Sequence, residues 1–115
     1  MPFTNHTRIE LFLPCNLPAE RRAADLAVRL RRDLFGGVTR SLLDEPVFIG
    51  SWRGAVGWVE DAVAIAFADT VDAQATIETK VEQIHREVAS LYQRAGSPQD
   101  AFWITVSPLD VLAEV

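Results

Sequence analysis

Two sequence periods alternate along this chain, the two-residue period of strands and the period of an amphipathic helix, and their order limits its folds more than any other feature. From Arg8 to Leu13 the residues Ile9, Leu11 and Leu13 share one face and Arg8, Glu10 and Phe12 the other, which predicts a strand. Pro14 to Pro18 breaks it, and Asn16 is the expected N-cap of a helix entered through Leu17 and Pro18. Ala23, Leu26, Ala27, Leu30 and Leu34 form that helix's apolar stripe, and Gly36-Gly37 ends it. Val38 to Trp52 reads as a strand interrupted at Asp44-Glu45-Pro46. Gly54 to Gly57 is a turn, and from Glu60 to Thr70 the residues Val63, Ile65 and Phe67 alternate with Ala62, Ala64, Ala66 and Ala68, so the two segments predict a hairpin. Asp72 is placed to cap a second helix, in which Ile77, Val81, Ile84, Val88, Leu91 and Ala95 recur at helical spacing until Gly96-Ser97-Pro98. Phe102, Ile104 and Val106 then mark a last strand, and Ser107-Pro108-Leu109-Asp110 has the pattern of a capping box for a terminal helical turn.

The order β-α-β-β-α-β, with two helices long enough to cover one sheet, predicts an α+β ferredoxin-like two-layer sandwich spanning residues 1–115 as one domain. With 49% hydrophobic residues in 115, the chain has material for one core. Leu30 and Ile84, central in their stripes, are expected to face the sheet. The alanines of the third strand occupy every second position where a solvent-facing strand would carry polar residues. Their face is expected either to pack in a homo-oligomer or to lie under a loop or the C-terminal tail.

A net charge of −5 argues against non-specific binding of nucleic acid or anionic membrane. The N-terminal apolar run Ile9 to Leu13 is too short for a secretory signal and no stretch reaches the length of a membrane span, so a cytoplasmic address is the default expectation. One cysteine, Cys15, permits no intrachain disulfide, and no CxxC pair, metal-ligand cluster or cofactor motif is present.

The stretch Gly50-Ser51-Trp52-Arg53-Gly54-Ala55-Val56-Gly57-Trp58 is the candidate binding site, with Trp52, Arg53, Gly54, Gly57 and Trp58 as its residues. Trp and Arg are the side chains most enriched at binding hot spots, and an exposed Arg suits a small anionic metabolite or a protein partner. Equally, both Trp residues could simply pack the hairpin against its own domain or a sister subunit. The glycine spacing matches neither GxGxxG nor a P-loop.

Other residues carry weaker signals. Cys15, near the start of the first helix, is a possible nucleophile by virtue of the helix dipole, or a small buried hydrophobe. His6 belongs to an N-terminal arm, and His85 shares its helix with Glu78 and Glu82, where one histidine makes a poor metal site and a Glu82 to Arg86 ion pair is expected. Arg21, Asp25, Arg29 and Asp33 predict an exposed ladder of ion pairs, with Arg22, Arg31 and Arg32 beside it. Met1-Pro2 resembles the start of the tautomerases, whose prolyl amine is the catalytic base, and a small enzyme using Pro2 or Cys15 is the alternative to a binding protein.

The chain resembles the trimeric ferredoxin-like proteins of the CutA and PII-like group. The likeness covers the element order, Gly36-Gly37-Val38-Thr39 after the first helix, the Trp-bearing central hairpin and the last strand running into Ser107-Pro108-Leu109-Asp110. It implies a non-enzymatic homo-oligomer, a trimer in preference to a dimer, with clefts between subunits for small molecules or partners.

Overall fold

The computed structural model of the chain describes residues 3–41, 48–99 and 102–112, with the side chain of Trp52 outside that description. The elements are β1 (Thr4–Pro14), α1 (Pro18–Phe35), β2 (Thr39–Arg40), β3 (Phe48–Gly54), β4 (Gly57–Thr70), α2 (Gln74–Arg94) and β5 (Ile104–Val111). This is the expected ferredoxin-like α+β order, with the second strand present as two pieces. Both β2 and β3 pair antiparallel with β4, and the interruption expected at Asp44-Glu45-Pro46 lies outside the described residues. The described strands form one antiparallel sheet in the order β2-β4-β1-β5, with β3 on the same side of β4 as β2.

Long-range pairing overrides local signals at both ends of the chain. The strand begins at Thr4, so His6 sits in β1 opposite Leu109 instead of in a free arm. Ser107 to Asp110, expected to start a helical turn, are strand residues paired with β1 from Arg8 to Asn5. Each ladder bond satisfies a backbone group that a capping box would satisfy only locally.

The register corrects the expected orientation of the alanine row. Ile9 lies opposite Ala68, Leu11 opposite Ala66 and Leu13 opposite Ala64, and all six are buried beneath the helices. Ile65 and Phe67 take the other face, opposite Phe12 and Glu10. The cause is volume: Leu11 and Leu13 from β1 and Ile84, Val88 and Tyr92 from α2 share a core cluster with Ala64 and Ala66. Facing residues on β4 must therefore be small for the layers to close at interior packing density. The open face holds the larger, half-buried Phe12, Ile65 and Phe67.

Helix α1 is also rotated from its expected setting. Its buried face is Ala23, Ala24, Ala27, Val28 and Arg31, while Leu26 is exposed and Leu30 is half-buried. The small residues let the helix approach the alanine layer, and Arg31, expected on the surface, is fully buried. Its Nη1 and Nη2 donate to the carbonyls of Ala66 and Ile9, its Nε has no partner, and desolvation pulls its pKa down to about 10. The ladder on this helix reduces to Asp25–Arg29, with Asp25 also held by Arg40 at 3.1 Å. Arg21 turns to the Asn16 carbonyl, and Asp33 meets its neighbour Arg32.

Neither expected N-cap is used as one. Leu17 and Ala73 occupy the N-cap positions. At α1 the task falls to Glu20, whose Oε1 accepts from the backbone N–H groups of Asn16 and Leu17, both at 3.0 Å. Its Oε2 accepts from the Ser97 hydroxyl at 2.7 Å, tying the loop after α2 to the start of α1. Asp72 accepts from Lys80 Nζ at 2.8 Å, and the same ammonium donates to the Leu34 carbonyl at the end of α1.

Candidate functional site

Strand β1 stops at Pro14, opposite Val63, yet β4 continues for six residues beyond it to Gly57, paired there with β3 alone. A two-stranded ribbon of that length projects about 20 Å past the sheet, consistent with molecular extents of 51 × 26 × 25 Å. This arm carries all five residues of the sequence-predicted site.

The turn is built as its glycines require. Gly54 faces Gly57 across the strand end, with Ala55-Val56 as the connecting pair. A Cβ on Gly54 would meet the Val59 side chain at Cγ2, 2.9 Å away, and Gly57 has φ of +131°, so the first position is closed to side chains by crowding and the second by its backbone conformation. They shape the site without offering it chemistry.

Arg53 is the direct cross-strand neighbour of Trp58, and its guanidinium carbon lies 5.6 Å from the indole ring centroid, within cation–π range. Trp58 is 71% exposed, Ile49 72% and Val56 fully, so the arm offers apolar and cationic surface with nothing of its own domain beneath it. Register places Ile49, Ser51, Arg53, Trp58 and Glu60 on the helix side of the ribbon, and Phe48, Val59 and Asp61 on the open side.

The arm's root is clamped by residues that sequence reasoning assigned elsewhere. Asn16 Oδ1 accepts from the Ala62 N–H at 2.7 Å, its Nδ2 donates to Asp61, and Cys15 N donates to the Ala62 carbonyl at 2.9 Å. Cys15 is buried, its thiol directed to the Ala62 carbonyl at 3.5 Å, and burial pushes its pKa up. A buried thiol with a raised pKa is a poor nucleophile, so Cys15 acts here as packing. Pro2 lies outside the described residues.

Two concave surfaces adjoin these elements. A groove of about 400 Å³ between α2 and β5 is lined by Val81, Glu82, His85, Arg86, Phe102 and Ile104. His85, Glu82 and Arg86 therefore form its rim, and the ion pair expected between Glu82 and Arg86 is not formed among the described residues. A smaller notch of about 230 Å³ lies where Gly36, Gly37 and Thr39 approach Phe67 and Asp69. Beside it, on the open face, Arg8 grips Asp69 through two bonds of 2.8 and 3.1 Å and stacks 4.3 Å from the Phe67 ring centroid. The Asp69 carboxyl is accordingly held below its usual range by the Arg8 guanidinium. No group of three or more potential metal ligands occurs among the described residues, and no helix among them is long and apolar enough to cross a membrane.

No protein-family model matches the chain, and no curated protein matches it in sequence. Solved structures do match. CutA1 from Oryza sativa aligns with a TM-score of 0.56 at 14% identity, covering 95% of this chain and 84% of that one. The divalent cation tolerance protein CutA1 from Thermus thermophilus aligns with 0.56 at 17% identity, covering 96% and 86%. A phage SAM lyase in complex with S-methyl-5'-thioadenosine aligns with 0.59 at 10% identity, covering 94% and 90%. The resemblance read from the sequence is thereby met at the level of fold: the chain has the architecture of the CutA1 proteins, an architecture that a phage enzyme shares.

Proposed function

We propose that the protein is a non-enzymatic homo-oligomeric binding protein whose subunits meet through the open sheet face and the hairpin arm, leaving clefts for a small anionic ligand or a protein partner. The arm is the observation that carries this reading. A ribbon exposing Ile49, Val56 and Trp58 together costs solubility unless another surface covers it. The open sheet face, where Phe12, Ile65 and Phe67 lie half-buried, is the second surface such an assembly would cover. A trimer is the preferred state, in keeping with the group the sequence resembles, and a cytoplasmic address remains the default reading of the chain. Arg53, stacked on Trp58 and without a carboxylate partner among the described residues, is the ligand contact.

Light scattering at micromolar concentration tests the assembly, and a thermal-shift screen of anionic metabolites tests the site. The screen includes S-methyl-5'-thioadenosine and nucleotides, so that an enzyme-like ligand would also register. A monomeric mass would overturn the oligomer. A hit abolished by Arg53→Ala at unchanged mass and melting temperature supports the site, and a hit indifferent to that substitution moves the site elsewhere.

A further inference from the structure

The closed core ends at the last strand. Ile104 and Val106 lie opposite the fully buried Leu11 and Ile9 and so face the helix side, yet Ile104 is only half-buried and Val106 is exposed. The space between that strand and α2 is the groove of about 400 Å³, with Val81, Phe102 and Ile104 as its apolar floor and Glu82, His85 and Arg86 as its rim. Its volume falls within the range of small-molecule sites. The floor is also set in advance. Phe102 is buried against the Tyr92 ring, with centroids 4.9 Å apart, and the fully buried Tyr92 donates its hydroxyl to the Pro14 carbonyl at 2.5 Å. A floor held in this way loses little freedom when a ligand settles on it.

On the rim, Glu82 and Arg86 stand one helical turn apart, the spacing at which such residues close into an ion pair. Here they do not meet, and neither they nor His85 has a salt bridge among the described residues. Leaving the pair open costs the fold little, because exposed pairs contribute little. The groove is thus edged by one carboxylate acceptor and two nitrogen donors above an apolar floor. A simple anion would use Arg86 but be opposed by Glu82, a simple cation would meet the reverse, and a purely apolar ligand would desolvate both charges without replacing the water. A zwitterion answers both. The geometry points to a binding site, formed by one chain alone, for a free α-amino acid with a large apolar side chain. Its carboxylate accepts from Arg86 and His85, its ammonium donates to Glu82, and its side chain lies on Phe102, Val81 and Ile104. A polar side chain would find no partner on that floor. Such a ligand carries no net charge, so the chain's −5 does not repel it. The site is separate from the arm and independent of the assembly proposed above.

Titration of L-phenylalanine into the isotope-labelled protein, followed by amide chemical shifts, tests the site. Saturable shifts are expected at residues 81–86 and 102–106 with ligand in the millimolar range or below. Hydrocinnamate and phenethylamine, which each lack one of the two charges, should bind severalfold more weakly, and L-glutamate, which lacks the apolar side chain, should not bind. Glu82→Ala and Arg86→Ala, both at exposed positions, should each weaken L-phenylalanine about tenfold at unchanged melting temperature. Arg53→Ala should leave the affinity as it is. The absence of saturable shifts, hydrocinnamate binding as tightly as L-phenylalanine, or an affinity indifferent to Arg86→Ala overturns the inference. Shifts centred on residues 53–58 and removed by Arg53→Ala would also overturn it, while supporting the site proposed on the arm.

Discussion

The layer beneath the helices and the arm beyond the sheet are parts of the same strand, β4, yet they obey opposite rules. From Val63 to Thr70 the strand is paired with β1 throughout and with β2 at Ala66 and Phe67, and its helix-side residues Ala64, Ala66 and Ala68 are small because β1 and the helices fill the space. From Gly57 to Ala62 it has one neighbour, and the same register positions carry the exposed Trp58 and Glu60, met by their cross-strand partners Arg53 and Ser51. Side-chain size along one strand thus reports what lies above it: small where the domain closes on itself, large where the strand runs past it.

Substitutions sharpen that contrast. Ile84→Ala, in the closed layer, is expected to cost about 2 to 5 kcal/mol in denaturant unfolding, while Leu30→Ala, half-buried on the flank of α1, should cost clearly less. Equal losses would mean that α1 presents its leucines to the sheet after all. Ala66→Leu should cost about 1 to 3 kcal/mol by overpacking, and Ala55→Leu at the arm's turn should leave the denaturation midpoint unchanged. Asn16→Ala should cost about 1 kcal/mol through the lost bonds to the arm's root, with faster amide exchange at Asp61 and Ala62 as the specific sign. Trp58→Ala should change the stability of the fold by no more than about 0.5 kcal/mol while lowering the assembled mass. A large loss of fold stability there would make the arm part of its own domain's packing.

The smallest effect concerns pH. Asp69 is held below its ordinary range in the fold by Arg8, so the pair's stabilisation is complete above about pH 4, the unfolded carboxyl value, and is lost as pH falls through the depressed folded value. Wild type should therefore lose stability in acid relative to Asp69→Asn, and the two acid-unfolding curves should converge at the lowest pH. Parallel curves would show the pair to be energetically idle.

The order of elements was legible because period is a local property. Ile77, Ile84 and Val88 repeat at helical spacing and are buried, and Gly54 to Gly57 marks the turn where it falls. Which face a strand turns inward was not legible, because alternation states only that Ala64 and Ile65 differ, and neighbouring volumes decide between them. Mutating Ala64 to Lys, which would split an interface were that row exposed, is here expected to unfold the domain. In the site, the pairing of Arg53 with Trp58 follows from a two-residue turn. The clamp of Asn16 on Asp61 and Ala62 spans 45 and 46 residues and leaves no trace in local sequence. Arg31 escaped notice because a guanidinium is read as a surface group, and only the tertiary fold supplies the carbonyls that receive it.

The methyl-sized spacing between α1 and the sheet leaves the body almost no slack. A domain so tightly closed has little room to hollow out a deep pocket of its own, since enlarging any of Ala23, Ala27, Ala64 or Ala66 would lift a helix off the sheet. Diversification in such a fold is pushed outward to the ribbon past Pro14, where length and side-chain identity can change without disturbing a core residue. The part of the chain that can vary most freely is thus also the part that would face another molecule.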